Sequence, residues 1–311
     1  MRLDEFDPSA NTRDLGSGSG GMGFGGGGGG GAGLFGLLFN FLPLLLGRRL
    51  GCGAMLLIGI VGFFLMNSGL FSGGMTSSAP TTQVGGRSGG AVVGDTPEEL
   101  FGSRVLASTE QVWTQIFQQQ GARYQPTTLN FYSRNAQSGC GAAQSAMGPF
   151  YCPSDNGVYL DTAFFQELSQ RFGAAGDAAQ AYVIAHEVGH HIQTITGVSD
   201  QVRRAQARAS QADGNRVQVM MELQADCYAG VWASRARTPR TNQPVMEMGD
   251  LEEAMRAAQA IGDDTLMQQA GRRVSPESFT HGTSAQRMRW LQRGYQTGDP
   301  RQCDTFQAAS L

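Results

Sequence analysis

The strongest constraint on this chain is an uncharged apolar run at residues 50–71, which is 22 residues long. A helix needs about 20 such residues to cross the hydrocarbon core of a bilayer, which is about 30 Å thick. The run lies near the end of a glycine-rich region, because 27 of the 45 glycines fall in residues 1–94. We therefore expect a glycine-rich front part and a globular back part that begins near residue 95.

The front part divides into three segments by composition. Residues 16–33 are almost entirely Gly and Ser, and such a stretch buries too little apolar surface to fold. The apolar stretch at residues 34–46 has 13 residues, which is short for a crossing. The predicted segments are a disordered, glycine-rich cytoplasmic tail at residues 1–33, a membrane anchor at 34–71 with its main span at 50–71, and a flexible linker at 72–94.

Charges around the apolar run predict its orientation. Arg48 and Arg49 precede the run, and the next basic residue is Arg87. Because basic residues are retained on the cytoplasmic side, a single crossing would place the N-terminus in the cytoplasm and the back part on the outer side of a bacterial cytoplasmic membrane. A cleaved secretory signal is the competing interpretation, but its apolar region would lie closer to the N-terminus than residue 34.

Residues 95–311 have the pattern of an α+β domain that is mainly helical, with a small sheet ahead of a helical body. Thr96 and Pro97 are typical of an N-cap and a first helical residue, so a helix is predicted from there to about residue 120. Aromatic and β-branched residues between turn signals predict two or three short strands within residues 127–133 and 148–161. Further helices are predicted at 162–172, 177–196, 199–236, 250–261 and 283–296.

The cysteines fit an oxidising location. Cys52 falls in the apolar run, which leaves four cysteines in the domain. Cys140 and Cys152 flank a short glycine-containing segment and could be joined across a hairpin, and Cys227 would then pair with Cys303. Buried free thiols are the alternative, and none of the four has the CxxC spacing of a zinc ribbon.

Three of the four histidines lie close together in the sequence AHEVGHHIQ at residues 185–193, which contains the pattern H-E-x-x-H. On a helix, His186 and His190 are one turn apart on one face, so both imidazoles can reach a single metal ion. Glu187 then lies beside the first ligand, where its carboxylate can accept a proton from an attacking water. A neutral histidine pair packed within a helix is the alternative interpretation.

A catalytic zinc ion takes three protein ligands and keeps one position open. Glu222 lies 32 residues after His190, in the sequence ELQAD, and Asp226 follows one helical turn later. We expect Glu222 to complete the ligand set and Asp226 to hydrogen-bond a ligand imidazole. A solvated acidic face is the alternative, although most of the flanking residues are apolar.

The fourth histidine, His281, lies in the sequence FTHGTSAQR at residues 279–287. It is a candidate to stabilise the oxyanion that forms when water attacks an amide carbonyl, with helix capping or core packing as the alternative. Arg287 in the following helix either pairs with an active-site acid or is solvated. His191 points about 100° away from His190 around the helix, so we expect it to have a structural role.

Together these residues resemble the YpfJ-type neutral zinc metallopeptidase family of bacteria, over nearly all of residues 95–311. The matching segments are GCGAA (139–143), GPFYCP (148–153), VYLD (158–161), AYVIAHEVGHHIQ (181–193), ELQADCYAGVWA (222–233), AIGDD (260–264), THGTSAQR (280–287) and CDTF (303–306). A more distant similarity is to the membrane-bound zincins of the CAAX-protease and heat-shock type. The resemblance implies a zincin-like fold with His186, His190 and Glu222 as zinc ligands and Glu187 as the base. Those distant zincins have several transmembrane helices where this chain has one predicted anchor, so we do not expect cleavage within the bilayer.

The sequence thus predicts a single-pass membrane metallopeptidase that uses Zn²⁺ to hydrolyse a peptide or protein substrate. Two other hypotheses stay open. One is a non-catalytic zinc-binding envelope protein, whose closed site would need Cys227 or His191 as a fourth ligand. The other is a zinc amidase that acts on peptidoglycan peptides. Nucleic acid is not an expected partner, because the net charge is −3 and proteins that bind nucleic acid normally carry a basic excess.

Overall fold

A small sheet lies beside a larger body of helices in this computed structural model, which describes residues 1–16 and 96–311. The strands are β1 (Thr12–Asp14), β2 (Thr128–Tyr132), β3 (Asn135–Ser138), β4 (Gly141–Gln144), β5 (Phe150–Cys152) and β6 (Gly157–Asp161). The sheet has the order β1-β2-β6-β5, in which β1 and β6 run parallel to β2 and β5 runs antiparallel to β6. Strands β3 and β4 form a separate antiparallel hairpin.

The helices supply most of the core. They are α1 (Pro97–Gln119), α2 (Phe164–Gln170), α3 (Asp177–Ile195), α4 (Val198–Gln206), α5 (Gln211–Arg235), α6 (Asp250–Ala260), α7 (Asp263–Gln269) and α8 (Ser284–Thr297). Helix α3 is buried along most of its length and packs against α1, α5 and α6, while α8 packs along α5. The largest fully buried side chains come from both layers and include Trp113, Trp232, Phe131 and Tyr182.

The prediction of a mainly helical α+β domain is confirmed for the described residues, and most of the predicted helices begin and end within about two residues of the observed ones. The long helix predicted at residues 199–236 is wrong in one respect, because it is two helices, α4 and α5. The second begins where the Ser210 side chain accepts a hydrogen bond from the Asp213 amide, which is an N-cap. The sequence analysis also missed β1, the β3–β4 hairpin and α7, all of which are short.

Residues 1–16 correct the prediction of a disordered tail, because they fold as part of the domain. Strand β1 pairs with β2, with Thr12 opposite Leu129. Leu3 and Phe6 are only 4% and 5% exposed and belong to the main hydrophobic core. The polar composition of this segment concealed the two apolar side chains that hold it in place. The rest of the predicted tail lies outside the described residues.

Both cysteine pairs predicted from the sequence are joined. Cys140–Cys152 lies at the β3–β4 hairpin and β5, and Cys227–Cys303 ties α5 to the C-terminal segment. Among the described residues, no helix is both long and apolar enough to cross a membrane. The predicted anchor at residues 34–71 and the predicted linker at 72–94 lie outside the part that the structure describes.

The burial of Phe6 gives a first prediction. We expect Phe6→Ala in the full chain to lower the free energy of unfolding by about 3 kcal/mol or more, because a buried phenylalanine would be replaced by a cavity. Chemical denaturation measures this change. Asp7→Ala is the matched control, since the neighbouring Asp7 is exposed and its loss should change stability by less than about 0.5 kcal/mol. Equal stability of the two variants would show that residues 1–16 do not belong to the core.

Candidate metal centre and active site

Helices α3 and α5 cross closely, and their contact brings the candidate ligands together. At Gly189, an added Cβ would lie 3.1 Å from both the Cα and the carbonyl oxygen of Ala225, so a side chain there would press the helices apart. His186 and His190 lie on either side of Gly189 along α3, and Glu222 is less than one turn before Ala225 on α5. The crossing therefore directs all three side chains to one point.

Three ligand-type atoms meet at this point. Glu222 Oε2 lies 3.2 Å from His186 Nε2 and 3.4 Å from His190 Nε2. Ligands held about 2.0–2.1 Å from a tetrahedral zinc ion are about 3.3–3.4 Å apart, so the observed spacing fits such an ion. Burial by itself would raise the pKa of Glu222, but the two imidazoles hold that pKa well below its usual value. Glu222 is therefore available as an ionised ligand.

Asp226 is a fully buried carboxylate that ties His186 to two further side chains. Its Oδ1 lies 2.8 Å from His186 Nδ1 and accepts a hydrogen bond from the Tyr182 hydroxyl at 2.5 Å. Arg287 of α8 donates to both carboxylate oxygens, each at 2.9 Å. Burial would raise the pKa of Asp226, but Arg287 and His186 lower it to about 2. The ionised carboxylate holds the His186 proton on Nδ1, which leaves Nε2 free to bind a metal.

Two glutamines orient the other candidate ligands. Gln193 Oε1 lies 2.9 Å from His190 Nδ1, and the Gln193 amide donates to the Met221 carbonyl at 2.7 Å. Gln218 donates to Glu222 Oε1 at 2.8 Å, so the other carboxylate oxygen is the one directed at the histidines. Each candidate ligand is thus held from behind by a hydrogen bond, which is typical of protein metal sites.

His281 reaches the site from the loop before α8. Asp263 Oδ2 accepts hydrogen bonds from three consecutive backbone amides, those of Thr280, His281 and Gly282, at 2.7, 2.6 and 3.0 Å. Asp263 Oδ1 lies 3.3 Å from His281 Nδ1, and this contact raises the pKa of His281 above its usual value. The side chain is 49% exposed, which excludes the alternative of core packing.

A cavity of about 1420 Å³ opens in front of these side chains. Glu187 lines it beside His186 and His190 and is itself buried. Its lining also includes apolar side chains from three other elements, namely Phe150 and Tyr151 of β5, Phe164 of α2 and Val202 of α4. The cavity exceeds the roughly 300–1,000 Å³ of a typical small-molecule pocket, so it has room for several residues of a polymer.

Comparison with known proteins agrees with the chemistry of this group. The family described as "Putative neutral zinc metallopeptidase" matches residues 1–306. The chain belongs to this family. "Uncharacterized protein YpfJ" of Escherichia coli K12 is 54% identical over 206 residues, which are 66% of this chain and 70% of that protein. "Uncharacterized protein Rv2575" of Mycobacterium tuberculosis H37Rv is 46% identical over 218 residues, which are 67% of this chain and 71% of that protein. No solved structure matches the chain.

The structure of this family member places five of the sequence-predicted site residues on one cavity: His186, Glu187, His190, Glu222 and His281. The sixth, Asp226, lies behind them and contacts His186. Of the alternatives left open for Arg287, pairing with a buried acid is the one observed. His191 lies apart from the metal group, with Nε2 2.6 Å from the Gln125 carbonyl oxygen.

Sequence reasoning missed several residues that orient the site. Tyr182, Gln193 and Gln218 lie three or four positions from His186, His190 and Glu222, respectively, so helical spacing was a signal that could have found them. Helical spacing could not have found Asp263, because it lies 18 residues before His281 and the two are brought together by the loop that precedes α8.

The buried pair of Arg287 and Asp226 gives a second prediction. We expect Arg287→Met to lower the free energy of unfolding by about 3–5 kcal/mol, because it leaves a buried carboxylate without its main partner. Arg289→Met is the matched control, since Arg289 lies two positions later on the same helix and is exposed. Thermal or chemical denaturation of both variants measures the difference. If the two are equally stable, the network around Asp226 does not support the fold.

Proposed function

We propose that this protein is a zinc metalloendopeptidase that hydrolyses peptide bonds in the cavity between its helices and its sheet. The observation that carries the proposal is the meeting of His186, His190 and Glu222, with Glu187 beside them on the cavity wall. Membership of a zinc metallopeptidase family supports a zinc peptidase in general. The mechanism below follows from the positions of this chain's own side chains.

The three residues fit zinc in chemistry as well as in spacing. Two imidazole nitrogens and one carboxylate oxygen are the donor set of many catalytic zinc sites, which leave a fourth position open. When bound, zinc makes water a nucleophile at neutral pH and polarises the carbonyl that is attacked. A closed structural site would need a fourth ligand, for which the sequence offered Cys227 or His191. Cys227 is in a disulfide with Cys303, and His191 is hydrogen-bonded to the Gln125 carbonyl oxygen. This favours catalysis over a structural role.

Glu187 is placed to move the proton. It follows His186 directly on α3, and its carboxylate lines the cavity within a buried setting. A carboxylate there accepts a proton from the attacking water and then delivers it to the amine that leaves when the C–N bond breaks.

His281 is the residue that we assign to the oxyanion. Asp263 fixes its ring through Nδ1 and favours the protonated form, which leaves Nε2–H as a donor on the cavity side. A donor that is already oriented stabilises negative charge as it develops on the carbonyl oxygen, without further reorganisation.

Strand β5 is the edge that we propose for the substrate backbone. The sequence left two candidates, residues 127–133 and 148–161. Strand β2 of the first is paired on both sides, by β1 and β6, whereas β5 has a sheet partner only on its β6 side among the described strands. Phe150 and Tyr151 of β5 line the cavity. An extended peptide can therefore add to this edge by main-chain hydrogen bonds and pass in front of the metal group.

We also propose that the domain lies outside the cytoplasmic membrane, held there by the apolar run at residues 50–71. Two formed disulfides favour this location, because disulfides persist in oxidising compartments and are rare in the cytosol.

Glu187→Gln tests the mechanism. We expect the variant to keep its zinc and to lose activity towards a peptide library by about 10²–10⁴-fold, because the proton carrier is removed while the ligands stay in place. Glu167→Gln is the matched control, since Glu167 lines the same cavity but is exposed and lies apart from the ligands. A Glu187→Gln variant that cleaves at the wild-type rate would contradict the assigned base.

Zinc content tests the metal site. We expect one zinc ion per full chain by native mass spectrometry and its loss in Glu222→Ala, with Glu252→Ala, an exposed residue on α6, as the control that retains it. A well-folded chain that takes up no zinc from excess metal would overturn the proposal in favour of a non-catalytic protein. Cleavage of peptidoglycan peptides, with no cleavage of a protein-derived library, would favour the amidase.

A further inference from the structure

The N-terminal segment, residues 1–16, is joined to the domain through backbone hydrogen bonds from β1 and its flanking residues to β2 and the residue that follows it. The Leu129 amide donates to the Asn11 carbonyl at 2.9 Å, and the Leu15 amide donates to the Phe131 carbonyl at 2.9 Å. Further along, the Ser133 amide donates to the Gly16 carbonyl at 3.2 Å. Residues 11–16 therefore lie along one edge of the sheet.

Further hydrogen bonds fix the same segment at three separate places on the domain. The hydroxyl oxygens of Thr12 and Ser103 are 2.8 Å apart and buried against α1. Glu5 accepts hydrogen bonds from the Arg240 and Thr241 amides, each at 3.0 Å. The Arg2 amide donates to the Val245 carbonyl at 2.8 Å, and Leu3 and Phe6 enter the core between these contacts. Such a distributed and partly buried contact is part of the fold and not a transient association.

This contact limits how the chain between the two described parts can cross a membrane. Residues 1–16 and 96–311 form one folded unit, so both must lie on the same side of any membrane. A single crossing between them would separate β1 from β2 by the roughly 30 Å of the hydrocarbon core. The orientation predicted from the sequence, with the N-terminus in the cytoplasm and the domain outside, is therefore incompatible with the pairing of β1 and β2.

We propose that the chain crosses the membrane twice. The apolar stretch at residues 34–46 would cross from the outer side to the cytoplasm, and the stretch at 50–71 would cross back. The charges agree with this arrangement. Arg48 and Arg49 lie between the two stretches, while residues 15–47 and 50–86 contain no charged side chain. The positive-inside rule then places the arginine pair in the cytoplasm and both flanks outside.

The length of the first stretch is compatible with a crossing. Its 13 residues would span about 20 Å as a helix, which is short of the hydrocarbon thickness. The flanking residues before it are uncharged back to Leu15, so some of them can enter the bilayer without the cost of burying a charge.

Labelling of single cysteines in the full chain tests the proposal. In a Cys52→Ser background, the four remaining native cysteines are held in disulfides. Ala10→Cys and Gln118→Cys place one thiol on each described part, at exposed positions, and Gly47→Cys places one beside the arginine pair. Each variant is treated in spheroplasts with a maleimide that does not cross membranes, before and after permeabilisation.

We expect labelling at residues 10 and 118 in intact spheroplasts. Residue 47 should be labelled only after permeabilisation. Labelling at 118 with protection at 10 would overturn the proposal in favour of a single crossing. Labelling at all three positions would overturn it in favour of an apolar segment that does not cross. Protection at both 10 and 118 would overturn the assignment to the outer face.

A designed disulfide provides a second measurement that does not depend on labelling efficiency. Thr12→Cys with Ser103→Cys, also in the Cys52→Ser background, replaces two hydroxyls that already touch. We expect mass spectrometry of the unreduced protein to show loss of both free thiols, whereas Thr12→Cys alone keeps one. Two free thiols in the purified, oxidised double variant would show that the contact does not form. Neither test depends on zinc or catalysis, so Glu187→Gln should give the same pattern, and failure of the proposed function would leave it unchanged.

Discussion

The arrangement of the helices around the site depends on the buried hydrogen bonds and ion pair of Asp226. A carboxylate with no exposed surface is stable only when its charge is matched, and here it receives hydrogen bonds from α3 and α8 while it lies on α5. Tyr182 and His186 come from α3, and Arg287 comes from α8. The three helices that build the site are thus fastened to one another at the atom that also fixes the tautomer of a candidate ligand. The fold and the candidate metal site therefore depend on the same contact.

The close crossing of α3 and α5 converts this fastening into geometry. Gly189 allows the backbones to approach, and the approach sets the distances between Glu222 and the two histidines at the edge lengths of a zinc tetrahedron. Hydrogen bonds from behind then orient the candidate ligand atoms. A metal ion that bound here would therefore cost the side chains little conformational entropy, and the site is open towards the cavity on one side.

The two edge strands of the sheet, β1 and β5, differ in their surroundings. Strand β1, from the N-terminal segment, forms one edge of the sheet, and its length of three residues limits pairing with other chains. Strand β5 leaves the other edge available beside the cavity, where we propose that a peptide adds to it. The same N-terminal strand holds together two parts of the chain that are separated by the apolar stretches. One strand of three residues therefore connects the stability of the domain to the number of membrane crossings that we propose.

The sequence by itself determined the features that depend on local periodicity. The spacing of His186 and His190 predicted one helical face, and the order of strand and helix patterns predicted the α+β class, because both follow from the geometry of a single element. The tertiary structure decided what depends on contacts between distant residues. The sequence left open whether Arg287 pairs with an acid or is solvated, and no pattern indicated that Leu3 and Phe6 would enter a core more than 90 residues away along the chain. Such contacts are set by how helices and strands pack in three dimensions, and the residues that make them carry no periodic signal of their own.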